Sequence, residues 1–309
     1  MMRDMVTCFN EHAVRISETT CSSSTIQSCI SHGQTPSPSI QNAVICQYRI
    51  SLSNQGQLLV TLTWCRNHMG QGLNVGFGDD PSTTSLNLNN AISRFFRKKK
   101  GSKSFEHDGS KITVFWDLSN ATYCSGPEPI DGFCLVLMVG SELGLVLGDL
   151  AQELANKKLK NGTQMAKFCL VSRREHYSGN GLYSTKAQFC EKGVAHEIMI
   201  RCVEGSEGMK QPVLSVSIDK RTVTKVNRLE WNFRGNQTIF VDGLLVDLLW
   251  DVHDWFFNPV CGSAVFMFRT RSGMDNRLWL QQGEKTVISH QENKEHERVE
   301  FSLLIYANA

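Results

Sequence analysis

Residues 241–257 read VDGLLVDLLWDVHDWFF. Leu244, Val246, Leu248, Trp250 and Val252 fall on one side of an extended chain, and Leu245, Asp247, Leu249, Asp251 and His253 on the other. A period of two is the signature of a half-buried strand. With the TIF that precedes it, residues 238–252 read as one strand whose dry face joins two layers. Either the carboxylates and the histidine carry chemistry, or they are the wet side of a sheet.

The same texture recurs through most of the chain. AVICQYRISL and QLLVTLTWC flank SNQG, a hairpin signal, and FCLVLMVG and LGLVLGDL flank a second turn at SE. GLNVGFG, KITVFWDLS, AKFCLVSRREHY, LYSTKAQFCE, AHEIMIRCVEG, PVLSVSID, RTVTKVNRLEWNFRG, GSAVFMFRTR, RLWLQQ and RVEFSLLIYAN are further strand candidates by their β-branched and aromatic content. Only DLAQELANKKLK, residues 149–160, has helical spacing, with Asp149 placed to cap it and Asn161-Gly162 to end it. A parallel α/β fold would need helices between its strands. The chain is therefore read as all-β, a large antiparallel sandwich of roughly fourteen strands with one or two short helices. Two lobes meeting near residues 150–162 are one arrangement of it, and no internal repeat stands out.

The chain has 309 residues, 41% of them hydrophobic and 20% charged, with a net charge of +2. That is ample material for a core and no basis for a generally basic nucleic-acid-binding surface. Residues 1–42 end in ETTCSSSTIQSCISHGQTPSPSIQN, too poor in bulky side chains to offset ordering, and read as a disordered tail before a β-rich domain at 43–309. The 11 cysteines are odd in number, form no CxxC and sit mostly in apolar runs, as reduced intracellular thiols do. The expected place is cytoplasmic or nuclear. A Ser-rich leader would also suit an organelle transit peptide, although Asp4, Glu11 and Glu18 speak against it. No apolar run reaches membrane-spanning length, and no cofactor or metal site is expected.

Several strings occur together in order: KKKGSKSFE, VFWDLSNATYCSGPEPIDGFCLVLMVGSELGLVLGDL, LEWNFRGNQTIFVDGLLVDLLWDVHDWFF and FSLLIYA. They resemble a plant-specific family known only as a domain of unknown function, with a WDLS…SGPEP…GD block and a WxFRGN…WDVHDW block. The resemblance runs from about residue 43 to the end and implies a plant source. It implies no activity, cofactor or catalytic residue. The family's usual LYAW-like ending is IYANA here.

Four groups of residues could carry chemistry. Asp251 and His253, two apart on a strand, could place a carboxylate beside an imidazole, with Asp247 nearby. The structural reading makes them the solvated end of a strand. Trp231, Asn232, Arg234, Asn236 and Trp250 could form a sugar-binding face, since tryptophan stacks on sugars. The structural reading buries both tryptophans and makes Arg234-Gly235-Asn236 a hairpin turn. Asp117 and Glu128 could be the carboxylate pair of a glycosidase, or loop caps in a proline-stiffened connection. Arg97, Lys98, Lys99, Lys100 and Lys103 form a basic run, read as a hairpin tip, that could touch lipid or RNA phosphates or simply be a solvated end. No nucleotide, nucleophile-elbow or zinc-protease signature is present. The expected function is thus non-enzymatic: an intracellular β-sandwich binding a protein or small ligand. Carbohydrate binding and a phosphoinositide or RNA contact through residues 97–103 are the alternatives, nucleic acid being the weaker partner class.

Overall fold

The structure, a computed structural model, describes residues 39–54, 56–67, 70–78, 99–160, 162–179, 181–190, 193–204, 212–258, 262–271 and 300–308. In chain order the first part holds β1 (Ile40–Ser51), β2 (Gln57–Asn67), β3 (Gly70–Phe77), β4 (Lys100–His107), β5 (Ser110–Asp117), β6 (Thr122–Tyr123), β7 (Pro129–Asp131), β8 (Cys134–Val139), β9 (Glu142–Leu147), α1 (Ala151–Lys160) and β10 (Gln164–Met165). Then follow β11 (Lys167–Ser178), β12 (Leu182–Ala187), β13 (His196–Glu204), β14 (Pro212–Ile218), β15 (Arg221–Val226), β16 (Arg234–Val241), β17 (Leu244–Asp251), α2 (His253–Phe257), β18 (Ser263–Thr270) and β19 (Ser302–Asn308). The all-β, antiparallel expectation holds, with nineteen strands and two helices among the described residues. β1 begins at Ile40, inside the stretch read as tail, and residues 1–38 lie outside the described residues, as does RLWLQQ.

One sheet organises the rest. Its eight strands run β16-β17-β18-β19-β11-β1-β2-β3, beside a five-stranded sheet β10-β9-β8-β5-β4 and a four-stranded sheet β12-β13-β14-β15. Two cores form under it. Val44, Cys46, Val60, Leu62 and Trp64 of the large sheet pack with Ile112, Val114, Leu135 and Leu137 of the five-stranded sheet. Phe266, Phe268, Leu303 and Ile305 of the large sheet pack with Ile198, Ile200, Leu214 and Val216 of the four-stranded sheet. Each such fully buried side chain contributes about 1.5–3 kcal/mol. Across β11, Val44 pairs with Glu175 and Glu175 with Ile305. Cross-strand partners share a face. Both smaller sheets therefore lie on the same side of the large one, and β11 runs along the seam between them. Helix α1 packs on the outside of the five-stranded sheet, its Ala151 and Ala155 against Cys134, Val136 and Leu143.

Asp242 and Gly243 divide the opening stretch. Their φ values are 52° and 72°, the pair of positive angles that a type I′ hairpin turn requires and that Asp-Gly adopts most readily. The segment read as one strand is thus a hairpin, β16–β17. Within β17 the alternation holds: Val246, Leu248 and Trp250 are buried, and Asp247, Leu249 and Asp251 face outward. RTVTKVNRLEWNFRG is likewise not one strand. The chain leaves β15 at Val226 and turns through residues 227–233 with Arg228 at φ 52°, sinking Leu229 into the core. The described part of the basic run, Lys99, Lys100 and Lys103, is not a hairpin tip either. Lys100 opens β4, and the tip of β4–β5 is Asp108-Gly109, with φ 48° and 70°.

That hairpin repeats. In β4–β5, Gly101 faces Trp116 and Lys100 faces Asp117; in β16–β17, Gly235 faces Trp250 and Arg234 faces Asp251, at the same separation along the chain. Lys100 Nζ lies 2.8 Å from Asp117 Oδ2, and Arg234 Nε 2.7 Å from Asp251 Oδ2. The other carboxylate oxygen accepts the backbone N–H two residues on, Ser119 in one case and His253 in the other, at 3.0 Å in both. Even the closing backbone bonds match, Leu118 N–H to Lys99 C=O and Val252 N–H to Phe233 C=O. An internal repeat is therefore present. It escaped the sequence reading because only turn and clasp positions are kept while the packing side chains differ.

The two glycines have one cause. A Cβ at Gly101 would stand 2.7 Å from Trp116 Cζ2, and one at Gly235 would clash with Cζ2, Cε2 and Cη2 of Trp250. Gly101→Ala and Gly235→Ala should each destabilise by about 1–3 kcal/mol, as overpacking does. Pairing Gly235→Ala with Trp250→Leu should recover part of that loss in a double-mutant cycle followed by urea unfolding; strictly additive losses would contradict the packing account.

Candidate functional site

The outward face of β16–β17 gathers Arg234, Asn236, Asp247 and Asp251, and each carboxylate there already holds a cation. Asp247 accepts from Arg271 Nε at 2.9 Å and Nη2 at 2.8 Å, and from Thr238 Oγ1 at 2.9 Å. Burial works against its charge, but the Arg271 and Thr238 hydrogen bonds hold its carboxyl below the usual range. The Lys100 hydrogen bond does the same for Asp117. Asn236, exposed, stands across from Leu249.

Asp251 and His253 do not make a carboxylate–imidazole pair. The strand ends at Asp251 and His253 opens α2, so the imidazole leaves the strand's outer face. Asp251 binds the backbone of His253, not its ring. His253 Nδ1 lies 3.0 Å from Asp254 Oδ1, and the ring sits among Phe233 and Phe257, with centroids 5.2 and 4.7 Å away. Arg234 reaches over the Phe233 ring. Trp250 is core, its Nε1–H donating to Asn232 C=O at 3.0 Å. Trp231 is not core: it is 78% exposed, and Phe257 is 55% exposed. Arg234-Gly235-Asn236 is the start of β16, not a turn. The turn anchors itself through Leu229 and leaves Trp231 facing water, two residues before Phe233 of the Phe233–His253–Phe257 cluster.

Asp117 and Glu128 each answer to a different cation, Asp117 to Lys100 and Glu128 to Arg173. Glu128 Oε2 lies 2.8 Å from Arg173 Nη2, between the buried Pro127 and Pro129. Of the basic run, Arg97 and Lys98 lie outside the described residues. Lys99 is exposed, Lys100 is clasped to Asp117, and Lys103 Nζ lies 5.0 Å over the Phe105 ring.

Two polar clusters went unnoticed in the sequence. The first lies on the seam. Glu175 has 0% exposure and accepts from Arg173 Nε at 2.6 Å, Thr185 Oγ1 at 2.7 Å and Tyr177 Oη at 3.0 Å. Burial opposes the Arg173 charge, but Glu175 and Glu128 keep it firmly protonated. Burial also pushes the neighbouring Cys46 thiol up to about 12, so it is no nucleophile. The alternation of Arg173, Glu175 and Tyr177 in RREHY was the available signal.

The second cluster is His196, buried at the start of β13. Its Nδ1 is 2.6 Å from Asp219 Oδ2. Its Nε2 is 3.0 Å from Asp242 Oδ2, within ion-pair distance though not aligned as a hydrogen bond. Asp219 belongs to the β14–β15 turn and Asp242 to the β16–β17 turn, so the imidazole bridges the two sheets. The Asp219 hydrogen bond raises the His196 pKa against its burial, and Asp242 adds to the rise. Among the described residues no group of three or more His, Cys, Asp or Glu is placed to hold a metal ion.

Fold and site together define an all-β protein of layered antiparallel sheets whose polar groups are tied into clasps and bridges. The chain belongs to the family described as "Plant protein of unknown function (DUF868)", whose model matches residues 39–309. No curated protein and no solved structure matches it. The family expected from the sequence strings is thereby established. No helix among the described residues is long and apolar enough to cross a membrane.

Two outcomes follow. Glu175→Ala should destabilise the protein by about 3–5 kcal/mol, because it leaves the buried Arg173 with half its counter-charge and takes the acceptor from Thr185 and Tyr177, and Glu175→Gln by less; chemical denaturation measures both. His196 has its folded pKa raised above the ordinary 6.5, so its contribution is full below that value and is lost as pH rises through the folded value. Asp219 is lowered, chiefly by the same bond, and its contribution fades as pH falls through its folded value. Unfolding followed from about pH 6 to 9 should therefore show a decline in the wild type that His196→Gln lacks.

Proposed function

We propose that this chain is a non-enzymatic β-sandwich that binds a protein partner at the aromatic end of β16–β17. The observation carrying this is Trp231, 78% exposed, with Phe257, 55% exposed, beside a packed Phe233–His253 pair. Exposed tryptophan held on a braced turn is the residue type that dominates protein recognition, because it brings large area at little entropic loss. The carboxylates of β17 favour binding over catalysis, since Asp247 and Asp251 are neutralised by arginines. The intracellular setting is part of the same reading and rests on the reduced, apolar surroundings of the cysteines.

Carbohydrate is the second reading, favoured by the exposed indole of Trp231 with the polar residues Asn232 and Arg234 close to it in the chain. The Trp231→Ala/Phe257→Ala variant should keep the wild-type melting temperature. Quantitative affinity enrichment from plant tissue should show a defined partner lost in that variant, and a glycan array should be blank. A glycan bound by the wild type and lost on Trp231→Ala would replace the protein reading with the carbohydrate one. An unchanged partner profile together with a blank array would remove both.

A further inference from the structure

The internal repeat exposes a difference between its two copies. In the first copy the outer face of β5, β8 and β9 is lined by Phe115, Cys134, Val136 and Val146, and helix α1 covers it with Ala151, Leu154, Ala155 and Leu159. Equating Asp117 with Asp251 fixes the counterparts through the strand registers. Phe115 corresponds to Leu249, Cys134 to Val265, Val136 to Met267 and Val146 to Leu304. The second face is thus as apolar as the first. Among the described residues, however, no helix or further sheet layer packs on it. Helix α2 does not serve, because its Trp255 points into the core on the other side.

The rim of this face has a sign. Asp247 and Asp251 are closed into ion pairs with Arg271 and Arg234. Arg269, two residues beyond Met267 and with its side chain 56% exposed, is a second arginine within 4.0 Å of Asp247, and Arg174 is paired across the ladder with Leu304, so four arginines face two aspartates and the rim is net positive.

From these observations we infer that the outer face of β17–β18–β19 is a docking surface for an amphipathic helix of a partner protein, with small and leucine-like residues on one side and acidic flanks. The α1 precedent sets its size at about three turns, ~15 Å of helix. The binding mode is a helix laid into an apolar groove, its anchors spaced i, i+3, i+4 and i+8. The surface shares the Arg234–Asp251 pair with the aromatic end but not Trp231 or Phe257, so either proposal can fail without the other.

The test uses the full chain and a staple-locked, fluorescein-labelled peptide. The peptide carries leucine or alanine where α1 has Ala151, Leu154, Ala155 and Leu159, and glutamate at the flanks. A matched peptide carries lysine flanks. Fluorescence anisotropy should show saturable binding of the glutamate peptide, about tenfold tighter than the lysine peptide. Met267→Glu should weaken it by about tenfold with little change in melting temperature, Arg269→Glu should reverse the flank preference, and Trp231→Ala should leave it unchanged. Absence of saturable binding would overturn the inference, as would binding indifferent to flank charge and to Met267→Glu. A photo-crosslinker at position 267 that captures a segment of the same chain, or a second copy of it, would overturn it too, by naming a different occupant.

Discussion

A carboxylate sealed from water must be given donors, and at Glu175 this demand falls on the seam of the molecule. Transfer of an ionised group into the interior costs several kcal/mol unless hydrogen bonds and a counter-charge replace its water. Here Arg173, Tyr177 and Thr185 replace it. Thr185 belongs to β12, in the four-stranded sheet, and Arg173 in turn holds Glu128 from the loop that precedes β7. Elements from both sides thus converge on β11. An apolar residue at 175 would pack there, but it would not specify which segments meet. We attribute to this network the registration of the two cores under one sheet, a role that buried polar groups hold in several folds.

The second organising device is the clasp at the base of each long hairpin. A basic residue, a glycine, a tryptophan and an aspartate occupy matched places in β4–β5 and β16–β17. This repetition bears on function. A carboxylate that performs the same backbone and cation contacts in both copies is serving the hairpin. What differs between the copies is then the better guide to recognition. Phe233 occupies the place of Lys99, one residue before each clasp, and among the described residues the apolar face that α1 covers in the first copy has no such helix over it in the second.

Much of the fold was legible in the residues. Period-two alternation gave most of the strands, the SNQG and SE turns gave β1–β2 and β8–β9, and the lone helical spacing gave α1 to within its first turn. Asp149, expected as its cap, instead accepts the Phe133 N–H. The failures share a cause. Asp242-Gly243 lay inside an unbroken apolar run, so a turn that depends on φ was hidden by hydrophobicity. The candidate site was less legible. Residues 251 and 253 share a face only while the chain stays extended, and it does not. Trp231 was read as core from the habits of tryptophan, but burial is decided by the turn that anchors Leu229. His196, Asp219 and Asp242 are brought together by two turns in different sheets, which spacing along a sequence does not encode.

Strand β19 lies inside the large sheet, antiparallel to β18 on one flank and parallel to β11 on the other. It is also the last strand in chain order. Without residues 302–308 the eight strands fall into two separate ribbons, β16–β18 and β11 with β1–β3, each with a raw edge. Those edges stay open until β19 has joined the two ribbons. A folding intermediate that has not yet seated β19 exposes ladder edges on which other chains can pair, and it is at that stage that sticking to neighbours is most to be expected.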